Sequence, residues 1–153
     1  MAVKKEIVPY GGYSNCVRLS NGLAEVIVTT DVGPRVVRYA TEGGPNHMCN
    51  FPDQMGKSGG NEWRSYGGHR LWHAPEMHVR TYDPDNSPVE YEFTENGVRL
   101  TAAVNPDTHI QKIMEISLDP ESTRVRAEHR LINRGWWEIE LSVWCLTVLD
   151  KGG

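Results

Sequence analysis

The stretch TRVRAEHRLI, residues 123–132, alternates between two kinds of side chain. Successive side chains of a β-strand point to opposite faces of a sheet, so this alternation is typical of a strand with one buried and one hydrated face. The stretch therefore predicts a β-strand and places His129 on the buried face, where we interpret it as a packed core histidine. The buried set is Val125, Ala127, His129 and Leu131.

Similar patterns recur along the chain, and no long window holds a helical apolar period. Asn21-Gly22 and Asn96-Gly97 each lie between two apolar runs. Because Asn-Gly favours the positive φ angles of tight hairpins, both pairs predict β-hairpins. We therefore predict an all-β protein, an antiparallel β-sandwich whose last three strands form a meander. Its strands are expected at 16–20, 23–30, 34–40, 89–94, 98–104, 109–118, 123–132 and 136–149.

Length and composition predict a single domain over residues 1–153, with a long loop insertion at 41–87. The net charge of −4 comes from 16 basic and 20 acidic residues spread along the chain, so we expect no nucleic-acid partner. No run approaches the roughly 20 apolar residues that cross a bilayer, so we expect no membrane partner. Three cysteines without a CxxC spacing predict reduced thiols and a cytoplasmic protein.

The insertion at 41–87 is rich in polar and aromatic residues, most densely in YGGHRLWHAPE at 66–76. Indole and phenol rings stack on the C–H faces of sugars, and Arg, Asn, Glu and His bind hydroxyls. A satellite core that holds the loop down is an open alternative for the aromatic residues. We interpret Asp85 and Asn86, within 84–88, as turn formers. The predicted sugar-binding residues are Arg35, Asn46, Trp63, Tyr66, His69, Arg70, Trp72 and Glu76.

His69, His73 and Glu76 also carry donor groups that bind divalent metals. Their spacing fits no common motif, and Gly67-Gly68 together with Ala74-Pro75 disfavours the helix that would bring both histidines onto one face. We therefore expect no metal. The sequence holds no P-loop, dinucleotide fingerprint or Gly-x-Ser-x-Gly elbow, so we also expect no cofactor and no serine nucleophile.

Four motifs follow one another along the chain: Asn21-Gly22, VTTDVGPR at 28–35, GGHRLW at 67–72 with Pro75-Glu76, and Asn133 before a tryptophan-rich segment. Together they resemble the amino-terminal half of galactose-mutarotase-like proteins, in particular an uncharacterised bacterial branch. The resemblance spans nearly the whole chain, and GGHRLW is its most specific part. It implies half of a β-supersandwich, whose concave sheet holds a sugar.

For the enzymes, the resemblance implies a histidine acid and a glutamate base that open and reclose the aldose ring. The histidine is expected after Asn133, where this sequence reads VWCLT at 143–147. The glutamate falls in the carboxy-terminal half, for which this chain has no counterpart. We therefore expect a non-catalytic domain that binds a small-molecule sugar.

Two alternatives stay open. One is an aldose 1-epimerase or related sugar isomerase, with His69 or His73 as the acid and Glu76 as the base. The other is a structural or interaction protein whose aromatic loop lies at a subunit interface, because Trp, Tyr and Arg also anchor protein interfaces.

The predicted last strand carries a nearly continuous apolar run at 143–149. Such a run is typical of a strand covered on both faces. Either the strand lies in the middle of its sheet or another chain covers it. Half of a supersandwich also leaves an apolar face and an open edge, so we expect a homodimer.

Overall fold

A computed structural model describes residues 2–152, apart from the side chain of Val79. Two antiparallel sheets form a β-sandwich, which confirms the predicted fold class. The six-stranded sheet has the order β1-β2-β3-β4-β5-β10, and the four-stranded sheet has the order β6-β7-β8-β9. The strands are β1 Lys4–Tyr10, β2 Tyr13–Ser20, β3 Ala24–Thr29, β4 Arg35–Thr41, β5 Gly68–Ala74, β6 Glu90–Phe93, β7 Gly97–Thr101, β8 Ile110–Leu118, β9 Val125–Asn133 and β10 Ser142–Val148, and a short helix, α1, covers His78–Thr81.

The main core lies between the facing sides of the two sheets. Strand β8 illustrates how alternation in the sequence builds this core. Every second residue from Ile110 to Leu118 is buried, and the residues between are partly exposed. Four of these buried residues are apolar, the exception being Lys112, and the removal of apolar side chains from water supplies the main driving force for folding. The core includes Leu19, Val26, Val28, Val36, Leu71, Val98, Leu100, Met114, Ile116 and Leu118.

Both predicted hairpins are confirmed: β2 pairs with β3 around Asn21-Gly22, and β6 pairs with β7. Gly22 has φ +83, the positive angle expected of this turn. The buried Asn21 side chain also donates hydrogen bonds to the carbonyls of Asp119 and Ser122, each 2.7 Å away. Asn21 thereby links the six-stranded sheet to the turn that precedes β9.

The predicted irregular insertion at 41–87 is wrong in its centre, because β5 lies there and separates β4 from β10. The predicted meander is also wrong at its last step. Strand β10 crosses to the six-stranded sheet and pairs with β5 from Ser142 to Val148, and residues 136–141 form no strand. Strand β1 is not among the strands predicted from the sequence. Alternation identifies a strand and its buried face, but it does not identify the pairing partner.

Strand β10 forms one edge of the six-stranded sheet. Several large apolar side chains on it or beside it are exposed. The most exposed are Trp136 at 95% and Trp137 at 82%. The strand thus does not lie in the middle of a sheet, and one of the two sequence alternatives is removed. In the described part of the chain, no helix has the length and apolar character needed to span a membrane.

Candidate functional site

The motif GGHRLWHA becomes strand β5, from Gly68 to Ala74. Because side chains alternate along a strand, His69, Leu71 and His73 share one face and Arg70 and Trp72 share the other. Leu71 belongs to the core between the sheets, which identifies the first face as the interior one. The sugar-binding residues predicted on this motif therefore lie on two different faces of one sheet.

Arg70 belongs to a group of buried charges. Its Nη2 atom donates a hydrogen bond to Asp85 at 3.2 Å, and Lys112 on β8 donates to both Asp85 and Asp83. Burial alone would raise the pKa of Asp85, but the cations Lys112, Arg70 and Arg35 outweigh it and lower the pKa. Asp85 is therefore ionised at neutral pH and acts as the shared counter-charge of the group.

Arg35 and Tyr66 are fully buried, at 0% exposure, and pack against each other with the Arg35 Cζ atom 4.6 Å from the ring centroid. Arg35 donates a hydrogen bond to the Ser65 carbonyl, and the Tyr66 hydroxyl donates to the Lys57 carbonyl. This placement differs from the expectation that both side chains face a sugar. Their hydrogen bonds to the Ser65 and Lys57 carbonyls anchor the segment before β5.

Three aromatic rings pack around Trp72, which is only 7% exposed. Its ring centroid lies 5.8 Å from Trp63, 5.8 Å from Tyr82 and 5.4 Å from Trp144. The Arg70 Cζ atom lies 4.1 Å from the Trp72 centroid, within cation–π range. Trp72 therefore forms the centre of a satellite core, and Trp63, at 36% exposure, is its most accessible predicted stacking residue.

Asn46 and Glu76 have separate surroundings. The Asn46 side-chain oxygen accepts hydrogen bonds from the backbone N–H groups of Tyr39 and Met48, and its amide donates to the Val37 carbonyl. These bonds use the side chain to hold the turn after β4. Glu76 is exposed beyond the end of β5 and accepts a hydrogen bond from the Tyr82 hydroxyl.

His69 and His73, the two candidate acids, lie far apart on β5. His69 and His73 are four residues apart on one strand, which corresponds to about 13 Å between their Cα atoms at a rise of about 3.3 Å per residue. His73 is buried, and burial and the charge of Lys112 lower its pKa. One small substrate cannot lie within hydrogen-bond reach of both histidines across this separation. The same separation prevents both histidines from ligating one ion.

His69 instead meets His129 of β9 across the interior, with their Nε2 atoms 2.8 Å apart. The His69 Nδ1 atom lies 2.7 Å from the Thr147 hydroxyl. Burial, and then the neighbouring His129, lower the pKa of His69 to about 4, and burial lowers the pKa of His129. Both rings are therefore neutral at neutral pH. The predicted inward position of His129 is confirmed, whereas its partner was missed because sheet order was unknown.

A polar cleft of about 280 Å³ lies beside the buried charges. Residues 83–89 and 102–106 line most of its wall, together with Gly33, Gly60, Asn61, Ile110 and Lys112. The sequence pattern predicts only a turn at Asp85 and Asn86, whereas in the structure both residues also line the cleft. Asn86 donates to the carbonyls of Gly59 and Gly60, which fixes the turn. The cleft brings together polar groups of Asn61, Asp83, Asp85, Asn105 and Lys112 and apolar groups of Val89, Ala102, Val104 and Ile110.

No sequence-family model and no curated protein matches this sequence. The structure is similar to the crystal structure of 4-alpha-glucanotransferase from Thermococcus litoralis, with a TM-score of 0.59 and 15% sequence identity. The fold resembles part of a carbohydrate-active enzyme. The similarity covers 88% of this chain and 25% of the glucanotransferase chain, so this chain spans about a quarter of that protein's length. At this identity the likeness concerns the fold alone.

Proposed function

We propose that this protein is a non-catalytic carbohydrate-binding domain, and that the polar cleft holds the sugar. The observation that carries the proposal is the composition of the cleft, in which carboxylate, amide and ammonium groups stand beside an apolar wall. Sugar hydroxyls need partners that donate and accept hydrogen bonds, and sugar C–H groups need apolar contact. The likeness to part of a glucanotransferase supports the same class of ligand.

The buried ion pairs of Asp85 hold part of the cleft lining in a fixed position. Asp85 is held by Arg70 and Lys112, so its carboxylate does not have to reorganise when a ligand arrives. Of the residues predicted from sequence, Arg70 thus supports the site without facing it. Trp63 is the predicted stacking residue that stays accessible, two positions from Asn61 of the cleft wall.

The absence of catalysis is proposed from the surroundings of the candidate acids and the candidate base. His69 contacts His129, His73 is buried near Lys112, and Glu76 is exposed beside Tyr82. An aldose 1-epimerase needs one group to remove a proton from the anomeric hydroxyl while another donates to the ring oxygen. Polarimetry on freshly dissolved α-galactose and α-glucose tests this part, and accelerated mutarotation would contradict it.

Calorimetric titration against a panel of aldoses and sugar acids tests binding. We expect saturable binding of at least one sugar by the wild-type protein. Asp83→Asn should weaken it about tenfold or more, since a charged polar contact is worth about 1.5–3 kcal/mol, and Asn61→Ala about fivefold, since a neutral contact is worth about 1 kcal/mol. Asp53→Ala, an exposed residue outside the cleft, is the control and should bind normally. No binding across the panel by the folded wild-type protein would contradict the proposal.

A further inference from the structure

Three potential metal ligands from three strands meet where the sheets face each other. His69 belongs to β5, His129 to β9 and Cys145 to β10. One ligand atom from each residue lies within 4.8 Å of the others. None of the three lines the polar cleft, so this cluster is separate from the proposed sugar site.

We propose that His69, His129 and Cys145 bind one Zn²⁺ ion and leave its fourth position to water or another ligand. Imidazole nitrogen and thiolate sulfur are the donors that Zn²⁺ prefers. In a tetrahedral site with Zn–N of about 2.0–2.1 Å, two ligand nitrogens are about 3.3 Å apart. The Nε2 atoms are now 2.8 Å apart, so the rings have to separate by only about half an ångström.

Thr147 orients the first of these ligands. It pairs with His69 in the β10–β5 register, and its hydroxyl lies 2.7 Å from the His69 Nδ1 atom. When Nδ1–H donates to this oxygen, the lone pair of the ring is on Nε2, which faces His129. Metal-binding histidines commonly use a second hydrogen bond in this way to fix the tautomer.

The cluster has an entry path and a structural consequence. Cys145 is exposed, so an ion can reach its sulfur from solvent, and the thiol proton passes to the buffer when the Zn–S bond forms. Two ligands belong to the six-stranded sheet and one belongs to the four-stranded sheet. A bound ion therefore ties the sheets together along β9 and β10 and stabilises the folded state.

The test uses the full chain, freed of any affinity tag and stripped with a chelator. Isothermal titration with ZnCl₂ should give one equivalent, and Co²⁺ should give the absorption bands of a cobalt–thiolate bond. Cys145→Ser and His129→Ala should each lower the Zn²⁺ affinity by more than tenfold, and Cys145→Ser should abolish the thiolate bands. Thr147→Val should lower the affinity about 10–100-fold, as for other supporting residues of metal sites.

Cys49→Ala is the matched control, because it removes a partly buried cysteine outside the cluster. It should keep the stoichiometry, the bands and the rise in melting temperature that Zn²⁺ gives the wild type. Circular dichroism establishes that each variant is folded, and Cys145→Ser preserves side-chain volume in case His129→Ala does not fold. Absence of stoichiometric binding by the wild type, or unchanged binding by Cys145→Ser, overturns the proposal.

Discussion

The Nη2 atom of Arg70 lies 3.2 Å from a carboxylate oxygen of Asp85, and these side chains are only 5% and 9% exposed. Lys112, 7% exposed, uses the other oxygen of the same carboxylate. Asp85 thus neutralises cations from both sheets of the sandwich, Arg70 on β5 and Lys112 on β8. A buried charge that loses its partner is costly, since neither water nor another group replaces the interaction.

Asp85→Asn should therefore destabilise the protein by about 3–5 kcal/mol, the usual cost of breaking a buried ion pair. Asp85 has φ +47, and asparagine tolerates this backbone conformation as well as aspartate does, so the substitution tests the charge. Urea denaturation gives the free energy of unfolding. Glu62→Gln, which removes the exposed partner of Arg64, is the control and should change it by less than about 1 kcal/mol.

Acid should weaken the fold through Asp85 and Glu25. Burial opposes ionisation of both, but Arg38 and Arg18 bind Glu25 and cations surround Asp85, so both pKa values are lowered. A carboxyl whose pKa is lower in the folded state stabilises the protein above its unfolded pKa, about 3.9 for Asp and 4.3 for Glu. This contribution is lost as the pH falls through the folded pKa.

Urea denaturation between pH 6 and pH 3 checks the expectation. The free energy of unfolding should begin to fall below about pH 5, where unfolded carboxyls take up protons first. Glu25→Gln should show a shallower fall than the wild type, because its share of the proton uptake is removed. Parallel curves for the two proteins would contradict the assignment to Glu25.

The sequence predicts most strands because their apolar residues alternate, as in β8 and β9. Strand β5 is different, since it mixes His69, Arg70 and Trp72 and shows no apolar period. Residues distant in sequence cover this strand and supply partners for two of its polar side chains. Arg70 forms an ion pair with Asp85, and the His69 ring contacts the His129 ring on the other sheet.

The sequence likewise predicts the local conformation of some site residues but not the contacts between them. Local pattern places His129 on the inward face of its strand, but its meeting with Cys145 depends on β10 crossing to pair with β5. Asp85 reads as a turn former, and only the packing of its loop against Lys112 turns it into part of a cleft. Sheet order and loop packing are long-range properties, and a single sequence does not specify them locally.

Trp72→Ala should lower the free energy of unfolding by about 3–5 kcal/mol, since it removes the centre of a packed aromatic cluster. Trp72 contacts three other aromatic rings and the Arg70 guanidinium. Urea denaturation monitored by circular dichroism measures the loss. Trp136→Ala, at a side chain 95% exposed, should stay within about 0.5 kcal/mol of the wild type. A stable Trp72→Ala protein that has lost only sugar binding would instead make Trp72 a stacking platform.

The predicted homodimer is supported by exposed apolar residues on β10 and in the segment that precedes it. Trp137 is 82% exposed and Val143 is 51% exposed, and exposed apolar clusters at a sheet edge favour association. Light scattering at micromolar concentration should give twice the chain mass of 17.3 kDa. Trp137→Glu should shift the protein to monomer, and Ile7→Glu, on β1 at the opposite edge, should not. A wild-type mass of 17.3 kDa would remove the homodimer hypothesis.

Gly68 begins β5 where the backbone of β4 passes close by. A Cβ atom at this position would lie 2.1 Å from the Val36 carbonyl oxygen, and the residue has φ +67. Gly59 has the same φ but open space around it, so Gly59→Ala measures the backbone strain alone, about 1–2 kcal/mol. Gly68→Ala adds a clash with backbone and should cost about 1–3 kcal/mol more. Equal free energies of unfolding for the two variants would contradict this prediction. They would show that β4 moves aside at no cost and that close packing does not require a glycine at position 68.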